Sequence, residues 1–317
     1  AASDVYKRQA TEKPFAAVAV NDIKEIIEKA GYTFALLEKY TEKEQLFEAV
    51  ADADALIVRS DKVGEEVMAA APQLKIVVRA GAGYDNIDLE AATARGIVVM
   101  NTPGQNANAV AELAVGLLIY AIRNQFDGSS GTELKGKRLG LMAYGAIAQN
   151  LARIAKGFGM EVSAYSPRGN TEKIAAAGLK VNATVEELFS SNDIVSLHVP
   201  LTAETRRSIG YDLLTQMRPK AILLNTARKE IIDEEGLLKA MAERTDLRYL
   251  TDLKMEAHDA AVEQLGKRYY ATQKKMGAQT AEANINAGLA AAEQIVDFLK
   301  NGVTTCQVTV SYTHLTL

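Results

Sequence analysis

Short apolar runs alternate with helical stretches along most of this 317-residue chain, and this alternation constrains the fold more than any other feature. From Phe15 onward the runs FAAVAV, TFALLE, ALIVRS and KIVVRA are interpreted as strands, with helical periodicity between them. Strands that are apolar on both faces and separated by helices are typical of a parallel sheet covered on both sides. IVVMN at residues 97–101 continues this first series.

A second series of the same kind starts at Arg138, after a long apolar helix predicted at residues 105–124. Its strand-like runs are RLGLMAY, EVSAYS, DIVSLHV, AILLNTA and RYLTDL. The last helix, Thr280 to Asn301, is predicted to return to the first sheet. The sequence therefore predicts an α/β protein with two doubly wound parallel sheets. The expected parts are a discontinuous domain at 14–104 plus 286–308, a continuous domain at 105–285, and disordered or non-native ends at 1–13 and 309–317.

Composition and charge exclude several classes of protein. Hydrophobic residues make up 48% and charged residues 24%, as in a soluble globular protein. A net charge of -4 gives no electrostatic footprint for nucleic acid or a membrane surface. With Cys306 as the only cysteine and three histidines, neither a disulfide framework nor a metal site is predicted. We see no secretory signal and no apolar span of about 20 residues, so a cytoplasmic location and a small-molecule partner are expected.

The segment LGLMAYGAIA, residues 139–148, lies where a strand passes into a helix. In the dinucleotide fingerprint G-x-G-x-x-G, this chain has Ala143, Gly145 and Ala148 at the three glycine positions. A helix N-terminus after Gly145 offers N–H groups and a positive dipole to a pyrophosphate. An ordinary tight turn is the alternative. The residues expected to contact a dinucleotide here are Tyr144, Gly145, Ala146 and Ile147.

The next strand, EVSAYS, is followed by Pro167 and Arg168 rather than by the carboxylate that binds an adenosine ribose. The hydroxyl of Ser166 and the guanidinium of Arg168 suit a ribose 2'-phosphate, because arginine bonds phosphate bidentately. A solvated loop arginine is the alternative. The sequence therefore predicts NAD or NADP as the cofactor.

Three segments together resemble the D-isomer-specific 2-hydroxyacid dehydrogenases: VRAGAGYDNIDLEAATARGIVVMNTPG, DIVSLHVPLTAETRRSI and AILLNTARKEIIDEEGLLKAM. A fourth, TQKKMGAQTAEANINAGLAAAEQI, is similar to a branch of short phosphoglycerate dehydrogenases that lack a regulatory domain and carry lysine in place of a catalytic histidine. The resemblance implies a flavodoxin-like substrate domain, a Rossmann cofactor domain, a cleft between them, and a homodimer through the cofactor domains.

The resemblance also implies roles for individual residues. Arg228 matches the arginine that holds the substrate carboxylate and carbonyl oxygen, and Lys275 matches the acid/base position. Ala82 and Gly83 match backbone donors for the carboxylate, and Asp252 matches the aspartate that ends a cofactor-domain strand. Arg59 and Arg79 each end a strand and match positions near a substrate phosphate, although each alone also fits a solvated strand end.

The acid/base group remains open on the residues alone. A lysine acts as a base near neutral pH only when burial or another cation lowers its pKa, and Lys274 or Arg228 is the candidate cation. The usual partner glutamate is replaced by Ala257, with Glu256 and His258 on either side. His198 lies on a strand that reads as buried, where a packed histidine is expected more than a catalytic one.

The resemblance implies hydride transfer between C2 of 3-phosphoglycerate and a nicotinamide cofactor, at the entry to serine synthesis. A glyoxylate, hydroxypyruvate or other D-2-hydroxyacid reductase, which needs no phosphate site, is the alternative among enzymes. A dinucleotide-sensing binding protein on the same fold is the alternative of another class. The altered glycines favour that second alternative, whereas the presence of Arg228 and Lys275 argues against it.

Overall fold

The computed structural model describes residues 15–309 and, for the backbone alone, a strand at residues 6–11. The first sheet and its helices run β1 (Tyr6–Thr11), α1 (Ala17–Lys29), β2 (Thr33–Glu38), α2 (Lys43–Val50), β3 (Ala53–Val58), α3 (Glu65–Ala69), β4 (Ile76–Arg79), α4 (Leu89–Ala94) and β5 (Val98–Asn101). These five strands are parallel and lie in the order β2-β1-β3-β4-β5.

The rest of the chain carries a second, seven-stranded sheet. Its elements are α5 (Ala107–Ile122), β6 (Arg138–Met142), α6 (Ala146–Gly157), β7 (Glu161–Tyr165), α7 (Thr171–Ala176), β8 (Lys180–Val181), α8 (Val185–Ser191), β9 (Ile194–Leu197), α9 (Tyr211–Thr215), β10 (Ile222–Asn225), α10 (Glu234–Glu243), β11 (Arg248–Thr251), α11 (His258–Leu265) and β12 (Tyr269–Ala271). The helix that follows them, α12 (Ala281–Asn301), packs on the first sheet. The strands are parallel in the order β12-β11-β10-β9-β6-β7-β8. Strand order reverses at β6, as in a dinucleotide-binding sheet. The predicted α/β fold class is confirmed.

The chain divides into two compact units. One contains the residues up to Asn106 and those from Gln279 onward, and the other spans Ala107–Ala278. The sequence analysis placed these divisions at 104/105 and 285/286. The second division falls earlier because α12 belongs as a whole to the first unit.

The first sheet is buried on both faces. Successive residues of β3 point in opposite directions, so Leu56 packs with the helices α2, α3 and α4, and Ile57 packs with α1 and α12. α12 approaches closely at Gly288, where an added Cβ would lie 2.8 Å from Cδ1 of Ile23 and 3.0 Å from Cε1 of Phe15. The second sheet is likewise covered on both faces, by α5 and α6 on one side and by α8 to α11 on the other.

Two expectations about the ends of the chain were wrong. The run FAAVAV does not form a strand, because α1 starts at Ala17 and its alanines favour a helix. The first strand is instead Tyr6–Thr11, inside the segment that the sequence analysis excluded, and it pairs with both β2 and β3. At the other end Thr309 is buried, and its Oγ1 accepts from the N–H of Val99 at 3.2 Å. The remaining excluded residues, 1–5, 12–14 and 310–317, lie outside the described residues.

Within the described part of the chain, no helix combines the length and the apolarity that a membrane span needs. Residues 15–309 also contain no group of three His, Cys, Asp or Glu side chains placed to hold a metal ion.

Candidate active site

The sequence analysis predicts a dinucleotide site at the turn between β6 and α6. Ala143 occupies the first fingerprint position with a φ of 73°, in the left-handed region where a side chain costs about 1–2 kcal/mol and glycine costs little. The N–H of Ala143 donates to the carbonyl of Tyr165 at 2.8 Å, which ties the turn to the end of β7. The strain explains why the fingerprint usually has glycine at this position.

The start of α6 fits a pyrophosphate. Gly145 is the N-cap residue, and no side chain caps the first turn, so the N–H groups of that turn remain available to an anion. A Cβ built on Gly145 would meet no protein atom within 4 Å, which leaves open space in front of the helix. The first turn also contains no acidic residue that would repel phosphate. Ala146 is exposed and Ile147 is half-buried, whereas Tyr144 packs in the core.

The loop after β7 is a tight turn. Oγ of Ser166 accepts from the N–H of Asn170 at 3.2 Å, and the carbonyl of Ser166 accepts from the N–H of Gly169 at 3.1 Å. Arg168 lies exposed within this turn. The hydroxyl of Ser166 is therefore already used to shape the loop.

We expect NADP(H) to be accepted at least comparably to NAD(H), because no carboxylate follows β7 to repel a 2'-phosphate. Arg168→Ala should then lower kcat/KM for NADP(H) about tenfold, the value of one charge-assisted hydrogen bond, and change NAD(H) little. Steady-state kinetics with both cofactors measures this. A strong NAD(H) preference that Arg168→Ala leaves unchanged would show that this loop does not read the 2'-phosphate.

Arg228 follows β10 by three residues and is half-buried. The backbone around it is fixed by Asn225, which is fully buried at the end of β10. Oδ1 of Asn225 accepts from the N–H of Ala227 at 3.0 Å, and Nδ2 donates to the carbonyl of Arg228 at 3.0 Å. The Arg228 guanidinium itself donates to the carbonyl of Ala227 at 2.9 Å. The arginine thus leaves the carboxyl end of the sheet, where ligands of such folds bind.

Lys275 is exposed and lies on the loop after β12, close enough to Asp252 to affect its ionisation. Asp252 is almost fully buried, and its Oδ2 accepts from the N–H groups of Gly277 at 2.9 Å and Met276 at 3.3 Å. Burial raises the pKa of the Asp252 carboxyl, while the Gly277 N–H and the Lys275 ammonium oppose that rise. Oδ1 of Asp252 is buried without a hydrogen-bond partner, as expected of an acceptor that awaits a ligand.

The other candidate proton carriers are engaged elsewhere. Nδ1 of His258 lies 2.9 Å from the hydroxyl of Tyr269. Glu256 is highly exposed and pairs with Lys229 at 3.5 Å. Ala257 is the N-cap residue of α11, and its N–H donates to Glu234. The structure therefore offers no carboxylate at Ala257 to orient a histidine.

His198 is half-buried just after β9, as the sequence analysis expected of a packed histidine. Its Nε2 lies 2.9 Å from Oγ of Ser196, and its N–H donates to the carbonyl of Met142 at the end of β6. Burial lowers the pKa of His198 from 6.5 to about 4.

This lowered pKa predicts a loss of stability in mild acid. The unfolded chain takes up the His198 proton below pH 6.5 and the folded chain only near pH 4, so the free energy of unfolding falls across this window. The loss amounts to at most about 3 kcal/mol. Urea unfolding of His198→Gln and wild type measures this effect. The free energy of unfolding of the variant, relative to that of wild type, should be higher at pH 4.5 than at pH 7. A stability difference that is the same at both pH values would contradict this assignment.

The first unit carries the predicted phosphate arginines next to each other. Arg59 follows β3, Arg79 ends β4, and Nε of Arg79 donates to the carbonyl of Arg59 at 2.9 Å. The Arg79 guanidinium lies against Gly81, where an added Cβ would fall 1.4 Å from Nη1. A side chain at residue 81 would displace the Arg79 guanidinium, and the φ of 149° at Gly81 also favours glycine.

The turn itself is fixed from β5. The carbonyl of Ala82 accepts from Nδ2 of Asn101 at 2.6 Å, and the carbonyl of Gly81 accepts from the N–H of Thr102 at 3.0 Å. Ala82 and Gly83 are both half-buried. The structure thus groups Arg59, Arg79 and this turn in one unit, and groups the dinucleotide turn, Asp252 and Lys275 in the other.

Two residues that shape these groups were not predicted. Asn225 was visible as a polar residue that ends the apolar run AILLN, directly before Arg228. Asn284 lies on α12 and accepts a hydrogen bond from Arg59. Nothing in the sequence of this alanine-rich helix distinguishes Asn284 as a functional residue.

A parallel sheet with reversed strand order and an uncapped helix at its first turn is typical of nucleotide-binding α/β proteins. The sequence pattern of the D-isomer specific 2-hydroxyacid dehydrogenase NAD binding domain matches residues 119–268. The chain is 34% identical over 276 residues to the hydroxypyruvate reductase of Thermotoga maritima, with 81% of this chain and 88% of that protein covered. The chain belongs to the D-isomer specific 2-hydroxyacid dehydrogenase family. The predicted nicotinamide cofactor is confirmed at the level of NAD.

Two phosphoglycerate dehydrogenases are also similar. The chain is 38% identical over 272 residues to the D-3-phosphoglycerate dehydrogenase of Methanocaldococcus jannaschii, with 81% of this chain covered. It spans only 52% of that relative's length. The structure of NAD+-bound 3-phosphoglycerate dehydrogenase in Entamoeba histolytica superimposes with a TM-score of 0.86 and 47% identity, covering 97% of this chain and 99% of that one.

Proposed function

We propose that this chain oxidises D-3-phosphoglycerate at C2 to 3-phosphohydroxypyruvate with NAD+ as the oxidant. The observation that supports this most is the 47% identity to the Entamoeba histolytica 3-phosphoglycerate dehydrogenase over 97% of the chain. The adjacent arginines 59 and 79 support the phosphorylated substrate, because arginine recognises phosphate bidentately.

In this mechanism Arg228 binds the substrate carboxylate and the oxygen on C2. Its positive charge stabilises the negative charge that this oxygen carries as the reaction proceeds. Lys275 takes the hydroxyl proton during oxidation and returns it during reduction. The nicotinamide supplies the hydride acceptor. The N–H groups of Ala146 and Ile147 would hold the pyrophosphate, and Oδ1 of Asp252 would accept a hydrogen bond from the cofactor.

The structure shows Lys275 exposed, so burial does not prepare it as a base and a neighbouring cation would have to do so. Reduction needs the ammonium form, which donates the proton. Oxidation needs the neutral amine, so we expect its rate to rise with pH.

We infer that the protein is a cytoplasmic homodimer that contacts its partner through the cofactor unit. The family resemblance supports the dimer. The single free cysteine, Cys306, suits a reducing compartment. Light scattering should give twice the chain mass of 34.2 kDa.

A reductase of glyoxylate or hydroxypyruvate is the second candidate, favoured by the coverage of 88% of the Thermotoga maritima hydroxypyruvate reductase. Assays of NAD(P)(H) turnover with 3-phosphoglycerate, D-glycerate, glyoxylate, hydroxypyruvate and phosphohydroxypyruvate separate the candidates. The proposal predicts the highest kcat/KM for the phosphorylated pair. Preference for an unphosphorylated acid would favour the reductase, and cofactor binding without turnover would favour a dinucleotide sensor.

A further inference from the structure

The guanidinium of Arg59 is held in place by the helix α12. Its Nη2 donates to Oδ1 of Asn284 at 2.6 Å. Nδ2 of Asn284 donates to the carbonyl of Thr280, the N-cap residue of the same helix, at 2.8 Å. Because the amide nitrogen is bonded to this carbonyl, the amide oxygen must face Arg59. The asparagine therefore has a fixed orientation and a single acceptor directed at the guanidinium.

The same guanidinium makes a second contact. The guanidinium carbon of Arg59 lies 5.0 Å from the centre of the Phe15 ring, a distance at which a cation interacts with an aromatic face. Phe15 is buried and pressed against α12 at Gly288. Burial lowers the pKa of Arg59, and the charge of Asp61 opposes that effect. The guanidinium is thus partly desolvated, which strengthens its interaction with an anion.

The position of Arg59 also affects Arg79. The carbonyl of Arg59 accepts from Nε of Arg79 at 2.9 Å, and the Arg79 guanidinium packs over Gly81. The first arginine is therefore oriented by its side-chain contacts, and the second is oriented by the backbone of the first.

We propose that Asn284 is a specificity-determining residue, which aims Arg59 at the phosphate of the substrate. The inference rests on the proposed function and deepens it, because it names the residue that makes the arginine pair selective for a phosphorylated 2-hydroxy acid. An arginine already fixed in one conformation loses less side-chain entropy when phosphate binds. Without the amide oxygen, the Arg59 side chain samples several rotamers. Binding of the phosphate must then fix one of them, which costs conformational entropy.

The test compares kcat/KM for 3-phosphoglycerate with kcat/KM for D-glycerate in wild type and Asn284→Ala. We expect the ratio of the two values to fall about tenfold, the effect of losing one hydrogen bond to a charged group. The fall should appear mainly in KM for the phosphorylated substrate, since Asn284 is a positioning residue that does not act on C2. Asn286→Ala is the matched control, because Asn286 is exposed on the same helix, and it should leave the ratio unchanged.

Asn284→Asp provides a second variant of the same size. It keeps an acceptor oxygen for Arg59 but adds a negative charge near the expected phosphate, so the ratio should fall further than in Asn284→Ala. Thermal unfolding of both variants checks that the fold is retained.

The outcomes separate this inference from the proposed function. A wild-type enzyme that uses D-glycerate as well as 3-phosphoglycerate would contradict both. A wild type that prefers 3-phosphoglycerate, with the same preference in Asn284→Ala and Asn284→Asp, would overturn the role of Asn284 alone.

Discussion

Lys275→Ala is expected to lower kcat for oxidation about 100-fold or more, because a positioned general base contributes about 10² to 10⁴ to the rate. Binding of the cofactor should persist, since the proposed pyrophosphate site at Gly145 lies in a different segment. Single-turnover kinetics and a fluorescence titration with NADH measure the two effects separately. Lys254→Ala is the control, because Lys254 is an exposed lysine two residues after Asp252, and its activity should match wild type.

The pH profile gives an independent test of the same residue. Oxidation requires neutral Lys275, so kcat should rise with pH and level off above the pKa of the lysine, and this limb should vanish in Lys275→Ala. If Lys275→Ala raises KM and leaves kcat unchanged, Lys275 binds substrate and the base is His258, Glu256 or solvent.

Histidine should not replace the lysine by itself. Ala257 offers no carboxylate to hold an imidazole, and the nearby Glu256 pairs with Lys229. Lys275→His should therefore recover little activity, whereas Lys275→His combined with Ala257→Glu should recover more. Equal activity of the single and double variants would contradict this explanation of the missing glutamate.

Arg59→Ala is expected to lower kcat/KM for 3-phosphoglycerate by about 30-fold relative to D-glycerate, which corresponds to about 2 kcal/mol for a charge-assisted contact. The physical reason is the partly desolvated guanidinium, whose orientation is fixed before substrate binds. Steady-state kinetics with the two acids gives the ratio directly.

Arg95→Ala is the matched control for Arg59. Arg95 lies in the same unit, but its guanidinium forms a two-pronged ion pair with the exposed Glu65. Its removal should leave the ratio of the two acids unchanged. If Arg59→Ala lowers kcat/KM equally for 3-phosphoglycerate and D-glycerate, Arg59 does not bind the phosphate.

The alternation of apolar and helical segments was enough to predict two parallel α/β sheets, because parallel strands such as β3 and β10 are buried at every position and are mostly apolar. The prediction from this alternation was wrong at the start of the chain. The strand Tyr6–Thr11 has the polar sequence YKRQAT, which lacks the pattern of an inner strand, and the apolar run after it forms α1. Local composition could not reveal a strand that depends on pairing with both β2 and β3.

The candidate site was predictable where a residue ends a strand and not where a contact crosses between distant segments. Arg59, Arg79 and Arg228 were singled out by the family resemblance, and each lies at or after a strand end. Asn284 was not found, because 225 positions separate it from Arg59 in the sequence. The fold alone brings α12 to that strand end.

The central claim is that hydride leaves C2 of 3-phosphoglycerate for the nicotinamide, and isotope transfer tests it most directly. D-3-phosphoglycerate carrying deuterium at C2 is incubated with the enzyme and NAD+, and the reduced cofactor is analysed by mass spectrometry. The account predicts one deuterium in each NADH formed and none in the NADH formed from unlabelled substrate. Unlabelled NADH from the deuterated substrate, or no NADH at all, would contradict it.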